Sequence, residues 1–369
     1  MMRWRVLALT GVACIVGLLS VELLARLIQA PMLYYRSPQV RYRPHAVRTF
    51  TLQPCQSGVY SVAASVDIDC RGFRTNGHDE SAGGSPVILA LGDSFTFGFG
   101  VENSETWPAR LEATLRKRGC PTALVINAGT ISYGVFQELD LLIEQLRVMK
   151  PHVVIHGLYW NDYQSAHPPR AGDPQVLTPE GLFVWDNPVD DSWGRGSAKW
   201  MLGHSSLASL TYRASRSLEN RPPEAEATGG YTAEYERFVR GDLNPSVLAP
   251  IADFYRRFQA LGREHGFLPY VVVVPSVNVL EPGGALENPY RRFVVAQLDG
   301  LGIPYVDGYA LWTRARLGSS TFLPQGPDAH LSTSGYKVLS EAIAARLQQP
   351  KPAQGCPIEG SRPGPRGTP

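Results

Sequence analysis

The segment Pro86 to Gly100, PVILALGDSFTFGFG, constrains the fold of this chain most strongly. Its apolar run, Val87 to Leu91, is too short for a lone helix and stops at Gly92-Asp93-Ser94, so it predicts a buried strand that ends at a serine. In open α/β sheets, ligands bind in the crevice at the carboxyl ends of the strands. We therefore expect Ser94 at such a crevice, although Asp and Ser after a strand are also common in turns and helix caps.

Strands and helices alternate after Ser94. Trp107, Leu111 and Leu115 recur at helical spacing and predict an amphipathic helix over Glu105 to Arg118. The later predicted elements are, in order, strand Ala123–Ile126, helix Phe136–Met149, strand Val153–Leu158, helix Ile251–Glu264, strand Tyr270–Val274, helix Arg291–Leu301, strand Pro304–Val306 and helix Ser334–Leu347. This alternation predicts an α/β fold, a three-layer α/β/α sandwich around a mainly parallel five-stranded sheet.

The N-terminus carries an apolar segment, Val6 to Ala25, long enough to cross a bilayer as a helix. No clear small-x-small cleavage site follows it, so we expect a retained anchor over residues 1–30 rather than a cleaved signal peptide. Arginines flank the segment on both sides, and the positive-inside rule therefore leaves its orientation open. They are Arg3 and Arg5 before it, and Arg26, Arg36, Arg41 and Arg43 after it.

The rest of the chain divides by composition. Residues 31–85, rich in Pro, Arg and Tyr and then in short alternating segments, predict a leader packed on the core. Residues 86–349 form the main domain, with a proline-rich variable insert at 165–230 that contains a predicted helix near Leu207 to Leu218. Residues 350–369 are a Pro/Gly-rich tail that we expect to be disordered, apart from Cys356.

Charge and cysteine content narrow the function classes. The net charge is +2 without a long basic run, so we expect no nucleic-acid partner. Cys14 lies in the anchor, and the other four cysteines show no C-x-x-C spacing. In an oxidising compartment they allow three pairings, of which Cys55 to Cys70 is the easiest by proximity, whereas in the cytosol they would be buried thiols. No metal cluster or phosphate-binding loop is visible, so we expect neither metal nor cofactor.

A candidate base lies near the end of the chain, at Asp328-Ala329-His330. A serine nucleophile needs a base within hydrogen-bond reach and an acid that orients the base. The segment precedes the last helix, which Ser332 or Thr333 would cap. A histidine in a loop is most often only a solvated residue, so this pair alone decides nothing.

Four ordered segments together resemble the SGNH, or GDSL-like, family of serine esterases and acylhydrolases. They are Gly92-Asp93-Ser94, Asn127-Ala128-Gly129, Asn161-Asp162, and Asp328 with His330. The resemblance covers Pro86 to Leu347 apart from the insert. The leader segment Asp69-Cys70-Arg71-Gly72-Phe73-Arg74 is similar to one in membrane-anchored bacterial members.

The resemblance implies a flavodoxin-like fold and a role for each matched residue. Ser94 corresponds to the nucleophile, His330 to the general base and Asp328 to the orienting acid. The backbone N–H groups of Ser94 and Ser132 and the side-chain amide of Asn161 correspond to the oxyanion hole.

This chain departs from the family pattern at three points. Ser132 stands where a glycine is common, and a serine is strained there if the backbone needs a positive φ. Phe95 replaces a common leucine, and the acid and base are spaced Asp-x-His where many members have Asp-x-x-His. Four other residues have structural interpretations: Asp93 and Asp162 as hydrogen-bonding groups, and Trp107 and Trp160 as core or pocket wall.

These observations predict a bacterial serine hydrolase anchored in the cytoplasmic membrane, with its domain outside the cytoplasm. Its substrates would be O-acyl esters, acetyl esters among them, of carbohydrate or lipid. An alternative is a cell-envelope O-acyltransferase that uses the same site, and a second is a non-catalytic polysaccharide-binding protein. The sequence does not set the oligomeric state.

Overall fold

The computed structural model describes most of the chain between Met2 and Leu347, with gaps. The described residues are 2–27, 38–62, 64–77, 84–163, 176–183, 201, 205–208, 210–211, 245–280, 288–323, 329–348, 356 and 358. Most of the predicted insert and tail lies outside them. Of the helix predicted near Leu207 to Leu218, residues 207, 208, 210 and 211 are described, and they are helical.

The N-terminal segment is one helix, α1 (Met2–Leu27). Its stretch Leu9–Leu27, 19 residues with a mean hydropathy of 1.8, is long and apolar enough to cross a membrane. Near its C-terminal end, Glu22 forms an ion pair with Arg26 at 2.7 Å. The same carboxylate accepts hydrogen bonds from the Ser205 hydroxyl at 2.7 Å and the Ser206 backbone N–H at 3.0 Å. The end of α1 therefore contacts the start of a helical segment in the insert.

The leader folds into two antiparallel hairpins. The first pairs β1 (Tyr42–His45) with β2 (Thr49–Leu52), and the second pairs β3 (Gln56–Ser61) with β4 (Ala64–Ile68). Tyr42 and Phe50 of the first hairpin pack on Phe183 of the insert, with ring centroids 4.3 and 5.0 Å apart. The Tyr42 backbone N–H also donates to the Gly181 carbonyl at 2.7 Å. The leader is thus packed against described parts of the insert.

Two disulfides settle the pairing that the sequence left open. Cys55 bonds to Cys70 inside the leader, and Cys120 bonds to Cys356 of the tail. Cys14 in α1 is exposed and is not in a disulfide. The second bond attaches Cys356 to the main domain, and Ile358 beside it is buried.

The main domain is built on five parallel strands, β5 (Val87–Gly92), β6 (Leu124–Asn127), β7 (Val153–Leu158), β8 (Leu268–Val273) and β9 (Tyr305–Asp307). Their order in the sheet is β6-β5-β7-β8-β9, and each neighbouring pair is parallel. This is the flavodoxin-like order, in which the chain reverses direction across the sheet beside the first strand. The predicted fold class is confirmed.

Seven helices of the main domain are described. They are α2 (Ser94–Phe97), α3 (Trp107–Lys117), α4 (Val135–Gln145), α5 (Pro245–His265), α6 (Pro289–Leu301), α7 (Gly308–Ala315) and α8 (Thr333–Leu347). Helices α3 and α8 pack together, while α5 contacts both α4 and α6. The sheet lies between these two groups, which gives three layers.

Burial explains why the strands are continuous apolar runs. Ile88, Leu89, Ala90 and Leu91 of β5 are all fully buried, because helices cover both faces of a parallel sheet. Strand β5 therefore lies in the middle of the core and ends where the polar sequence begins.

The predicted helix Glu105 to Arg118 starts later in the structure, at Trp107. Thr106 caps α3, and its hydroxyl accepts from the Ala109 N–H at 3.2 Å. Glu105 belongs instead to a 3₁₀ turn, Asn103–Glu105. Since a threonine cap fixes the first turn, the periodicity of the apolar residues alone placed this start too early.

Helix α7 was not predicted. It follows directly on β9, and the Asp307 carboxylate caps it by accepting from the Ala310 N–H at 3.1 Å. Other predicted ends differ from the observed ones by a few residues: Phe136–Met149 ends at Gln145, and Ile251–Glu264 starts at Pro245.

Arg74 connects the leader to the core. Its side chain is fully buried beside the ring of Phe97, 4.9 Å from the ring centroid. The guanidinium donates to the carbonyls of Phe97 at 2.8 Å, Gly98 at 2.6 Å and Val101 at 2.5 Å, and to the Asn103 side chain at 3.1 Å. Burial lowers the pKa of Arg74 to about 10. This one side chain therefore provides donors for the whole loop that follows Ser94.

Replacing Arg74 should destabilise the fold. Arg74→Ala removes the guanidinium donor from three backbone carbonyls, so we expect the free energy of unfolding to fall by about 3 kcal/mol or more. Chemical denaturation of the full-length protein in detergent measures this. Arg71→Ala is the matched control, because its side chain is half exposed in an ion pair with Asp69 and its loss should cost less than about 1 kcal/mol. Equal losses would contradict the role given to Arg74.

Candidate active site

Ser94 lies where the sequence predicts it, directly after β5 as the first residue of α2. Asp93 caps this short helix, and its carboxylate accepts from the Phe95 N–H at 2.9 Å. The chain turns sharply here, since the Phe97 N–H already bonds to the Asp93 carbonyl at 2.9 Å. Ser94 is 9% exposed, so it lies at the edge of the core rather than on an open surface.

Two glycines make this turn possible. Gly92 has φ +149°, and a side chain there would overlap Thr96 and the carbonyl of Gly157. A side chain at Gly129 would overlap the backbone of Phe97. The missing Cβ at Gly129 therefore lets the loops after β5 and β6 approach each other, and the missing Cβ at Gly92 lets Thr96 pack beside β7.

His330 meets Ser94 across the site. Its Nε2 lies 2.8 Å from the Ser94 Oγ, within hydrogen-bond distance. The imidazole is stacked on Phe95, with 4.4 Å between ring centroids, and it contacts the tilted ring of Phe99 at 4.6 Å. Its backbone carbonyl accepts from the Leu323 N–H at 2.7 Å. The ring therefore contacts two aromatic side chains, while its Nε2 lies within hydrogen-bond distance of the serine.

Asp328, the predicted orienting acid, lies outside the described residues. The described chain resumes at Ala329, which is buried next to His330.

The segment Asn127-Ala128-Gly129 packs against α2, the helix that begins at Ser94. The Asn127 amide donates to the Phe97 carbonyl at 3.3 Å, and its oxygen accepts from the Gly129 N–H at 3.1 Å. Asn127 is fully buried, so its contacts tie the loop after β6 to the loop after β5.

Ser132 follows on the same loop and has a positive φ of 64°. Its side chain is exposed, while the neighbouring Tyr133 is buried and donates from its hydroxyl to the Phe50 carbonyl at 2.7 Å. Ser132 therefore has the positive φ at which a serine is strained and a glycine is not.

Asn161 and Asp162 lie in the turn after β7, the strand next to β5. Asn161 is half-buried, and Asp162 is fully buried. The Asp162 carboxylate accepts from the Tyr159 N–H at 2.8 Å, and its backbone carbonyl accepts from the Val135 N–H at 2.9 Å. Asp162 therefore closes the turn that carries Asn161 and joins it to α4, as its structural interpretation requires.

Sequence reasoning missed a buried polar cluster behind this turn. Glu138 of α4 bonds to His156 of β7, with 2.8 Å between Oε2 and Nε2, and the other ring nitrogen lies 3.3 Å from the Tyr255 hydroxyl. Burial, followed by the charges of Glu138 and Asp93, raises the pKa of Asp162 well above its usual value. A histidine in the middle of an apolar strand was the available signal, because an unpaired polar group there would be costly.

Among the described residues, Glu138, His156 and Asp162 are the one group of histidine and acidic side chains close enough to share a metal ion. Two of the three already bond to each other, and all are fully buried. We do not assign a metal ion to this group.

The comparisons with known proteins give structural neighbours only. No family model matches the sequence, and no curated protein matches it. The chain is similar to TesA, at 15% identity and a TM-score of 0.41, over 71% of this chain and 98% of that one. It is also similar to the lipase/acylhydrolase from Enterococcus faecalis, at 14% identity and a TM-score of 0.40, over 72% of this chain and 96% of that one.

A third neighbour is a catalytic mutant of an acetylxylan esterase from Geobacillus stearothermophilus, at 13% identity and a TM-score of 0.41. The match covers 72% of this chain and 94% of that one. TM-scores below 0.5 at this identity do not establish a shared activity, so the function proposed below rests on contacts within this chain.

The conformation of Ser132 predicts the effect of a glycine there. A left-handed conformation costs a non-glycine residue roughly 1–2 kcal/mol, and glycine's extra freedom in the unfolded chain offsets part of the gain. We expect Ser132→Gly to raise the free energy of unfolding by up to about 1 kcal/mol, measured by chemical denaturation. Ser104→Gly is the control, because Ser104 is an exposed serine without a positive φ and should lose stability. A loss of the same size at both positions would exclude strain at Ser132.

Proposed function

We propose that this protein is a serine esterase of the SGNH family that cleaves O-acyl esters through an acyl-enzyme. The observation that carries the proposal is the 2.8 Å contact between the Ser94 hydroxyl and His330 Nε2, at the carboxyl end of β5. That edge is next to the point where the strand order reverses, which is the ligand-binding crevice of open α/β sheets.

The proposed chemistry follows from this contact. His330 Nε2 accepts the hydroxyl proton as Ser94 Oγ attacks the ester carbonyl, and it returns the proton to the leaving alcohol. Water then repeats the sequence on the acyl-enzyme with the same base. Contacts with the rings of Phe95 and Phe99 restrict movement of the imidazole during both steps. We assign the orienting role to Asp328 on the resemblance of its segment.

The developing oxyanion would be stabilised by three donors, namely the backbone N–H groups of Ser94 and Ser132 and the amide of Asn161. They belong to the loops after β5, β6 and β7, which are adjacent strands of the sheet. The backbone carbonyl of Asp162 bonds to the Val135 N–H and thereby links the loop of Asn161 to the loop of Ser132. This link supports a common site for the two donors.

We further propose that the substrates are O-acyl esters of carbohydrate or lipid, acetyl esters among them. This assignment follows the family resemblance of the four sequence segments and needs no cofactor.

The test uses full-length protein in detergent with p-nitrophenyl acetate as substrate. We expect Ser94→Ala to remove turnover, and Asn161→Ala to lower kcat on the order of a hundredfold with a smaller change in KM, because one oxyanion donor contributes about 3 kcal/mol in the transition state. A fluorophosphonate probe should label wild type and the control variant Ser104→Ala, but not Ser94→Ala. Equal hydrolysis by wild type and Ser94→Ala would rule out the serine mechanism.

We also propose that α1 is retained as a single-pass anchor in the bacterial cytoplasmic membrane, with the domain on the outer side. The two disulfides support this side, because disulfides persist in oxidising compartments and are rare in the cytosol. The short N-terminal tail with Arg3 and Arg5 would then stay inside.

Reporter fusions test the orientation. A C-terminal alkaline phosphatase fusion should be active, because that enzyme needs export to form its own disulfides, whereas a green fluorescent protein fusion should stay dark after export by the Sec route. The converse result would place the domain in the cytoplasm, and envelope esters could then not be its substrates.

A further inference from the structure

The buried cluster of Glu138, His156 and Asp162 has two oxygens that the other contacts do not explain. Glu138 Oε1 and Asp162 Oδ1 are buried, and neither has a hydrogen-bond partner among the described residues. One ligand atom from each of the three side chains lies within 4.8 Å of the others. Two buried carboxylate oxygens without donors are costly, since each retains its full desolvation penalty.

The remaining polar atoms of the cluster are already satisfied. Asp162 Oδ2 accepts from the Tyr159 N–H, Glu138 Oε2 bonds to His156 Nε2, and His156 Nδ1 bonds to the Tyr255 hydroxyl. The two atoms left without a partner are both carboxylate oxygens, which accept hydrogen bonds and need a donor. A carboxyl group supplies such a donor when it is protonated.

We propose that Asp162 is a neutral carboxylic acid in the folded protein, that it donates from Oδ1 to Glu138 Oε1, and that this buried proton positions the oxyanion hole. The side chain of neutral Asp162 holds the Tyr159 N–H, and its backbone holds the Val135 N–H. Two of the three loops assigned to the oxyanion hole, those of Asn161 and Ser132, thereby depend on one residue. Asp162 is a positioning residue, and its functional role rests on the proposed esterase activity.

The surroundings of Asp162 favour the neutral form. The titratable groups that face it are Glu138 on α4, His156 on β7, Tyr255 on α5, Tyr290 on α6 and Asp93 before α2. Burial is the largest cause of the raised pKa of Asp162, and the charges of the two neighbouring acids, Glu138 and Asp93, add to it. An ionised Asp162 would also place a negative charge one residue from Asn161, where it would oppose an oxyanion.

The protonation state of Asp162 determines whether the stability of the folded protein rises or falls with pH. Folded Asp162 keeps its proton at pH values where the unfolded chain has lost it, above a pKa of about 4. The folding equilibrium constant of wild type should therefore fall by up to about tenfold per pH unit above that point, until the raised pKa of the folded state is reached. Asp162→Asn does not titrate, and its amide can both donate to Glu138 and accept from Tyr159. Its stability relative to wild type should rise with pH across this window.

Glu112→Gln is the matched control. Glu112 is also buried, but its carboxylate accepts from the Val125 N–H at 2.8 Å and pairs with Arg116 at 3.0 Å. An amide there would turn its NH₂ group toward donors, so the same chemical change should lower stability.

The experiment measures denaturation of full-length wild type, Asp162→Asn and Glu112→Gln in detergent between pH 5 and 9, together with kcat and KM at neutral pH. We expect Asp162→Asn to gain stability relative to wild type with rising pH and to keep kcat within about threefold, while Asp162→Ala lowers kcat by roughly a hundredfold through displacement of the donors. If Asp162→Ala does not fold, the asparagine variant and its pH dependence still decide the question.

Two results would overturn the proposal. One is an Asp162→Asn variant that loses stability as Glu112→Gln does, with no change relative to wild type across the pH range, because Asp162 would then be ionised. The other is a stoichiometric divalent metal ion in the purified protein whose removal by a chelator destabilises wild type but not Asp162→Asn. If wild type does not hydrolyse esters, the proposed esterase activity is refuted. The stability measurement still tests whether Asp162 is protonated in the folded protein.

Discussion

The buried guanidinium of Arg74 is the interaction on which the loop after Ser94 depends. The backbone carbonyls of Phe97, Gly98 and Val101 follow the turn at Ser94 and lie outside the hydrogen-bonding pattern of the sheet. Arg74 supplies their donors. Because an arginine offers five N–H groups in one plane, a single side chain can satisfy several carbonyls that no water reaches. The leader therefore helps to hold the candidate active site, although it lies outside the five-stranded domain.

The same arrangement recurs at the other loops of the site. Asn127 fixes the loop after β6 against the loop after β5. Asp162 fixes the turn after β7 against the start of α4. In each case a buried polar side chain forms hydrogen bonds with the backbone of the loop. The same loop carries a residue that we propose acts on the substrate. Polar groups this deep are stable only when every donor and acceptor is matched, and matched networks of this kind are rigid. Rigid loops are what a preformed oxyanion hole requires.

The sequence was sufficient to predict the parallel sheet and to single out Ser94 and His330, whose side chains are in contact in the structure. Runs such as Val87 to Leu91 are apolar because both faces of a parallel sheet are covered, so their pattern is a direct consequence of the fold. Ser94 and His330 were recognisable because their segments occur in a fixed order. Helix α7 was missed, since its cap, Asp307, is itself the last residue of a three-residue strand and the helix has only eight residues, too few for a clear periodicity. The Glu138–His156 pair was missed because its residues are 18 positions apart on different elements.

Described residues of the insert contact both α1 and the leader. An ionisable residue in an apolar helix is costly unless it finds a partner, and Glu22 finds several, including the N–H groups of Ser206 and Leu207. A second described part of the insert, at Gly181 and Phe183, packs on the first hairpin of the leader. One described part of the insert therefore contacts α1, and another contacts the leader. The leader also carries Arg74, so it contacts both the Gly181–Phe183 part of the insert and the loop that follows Ser94.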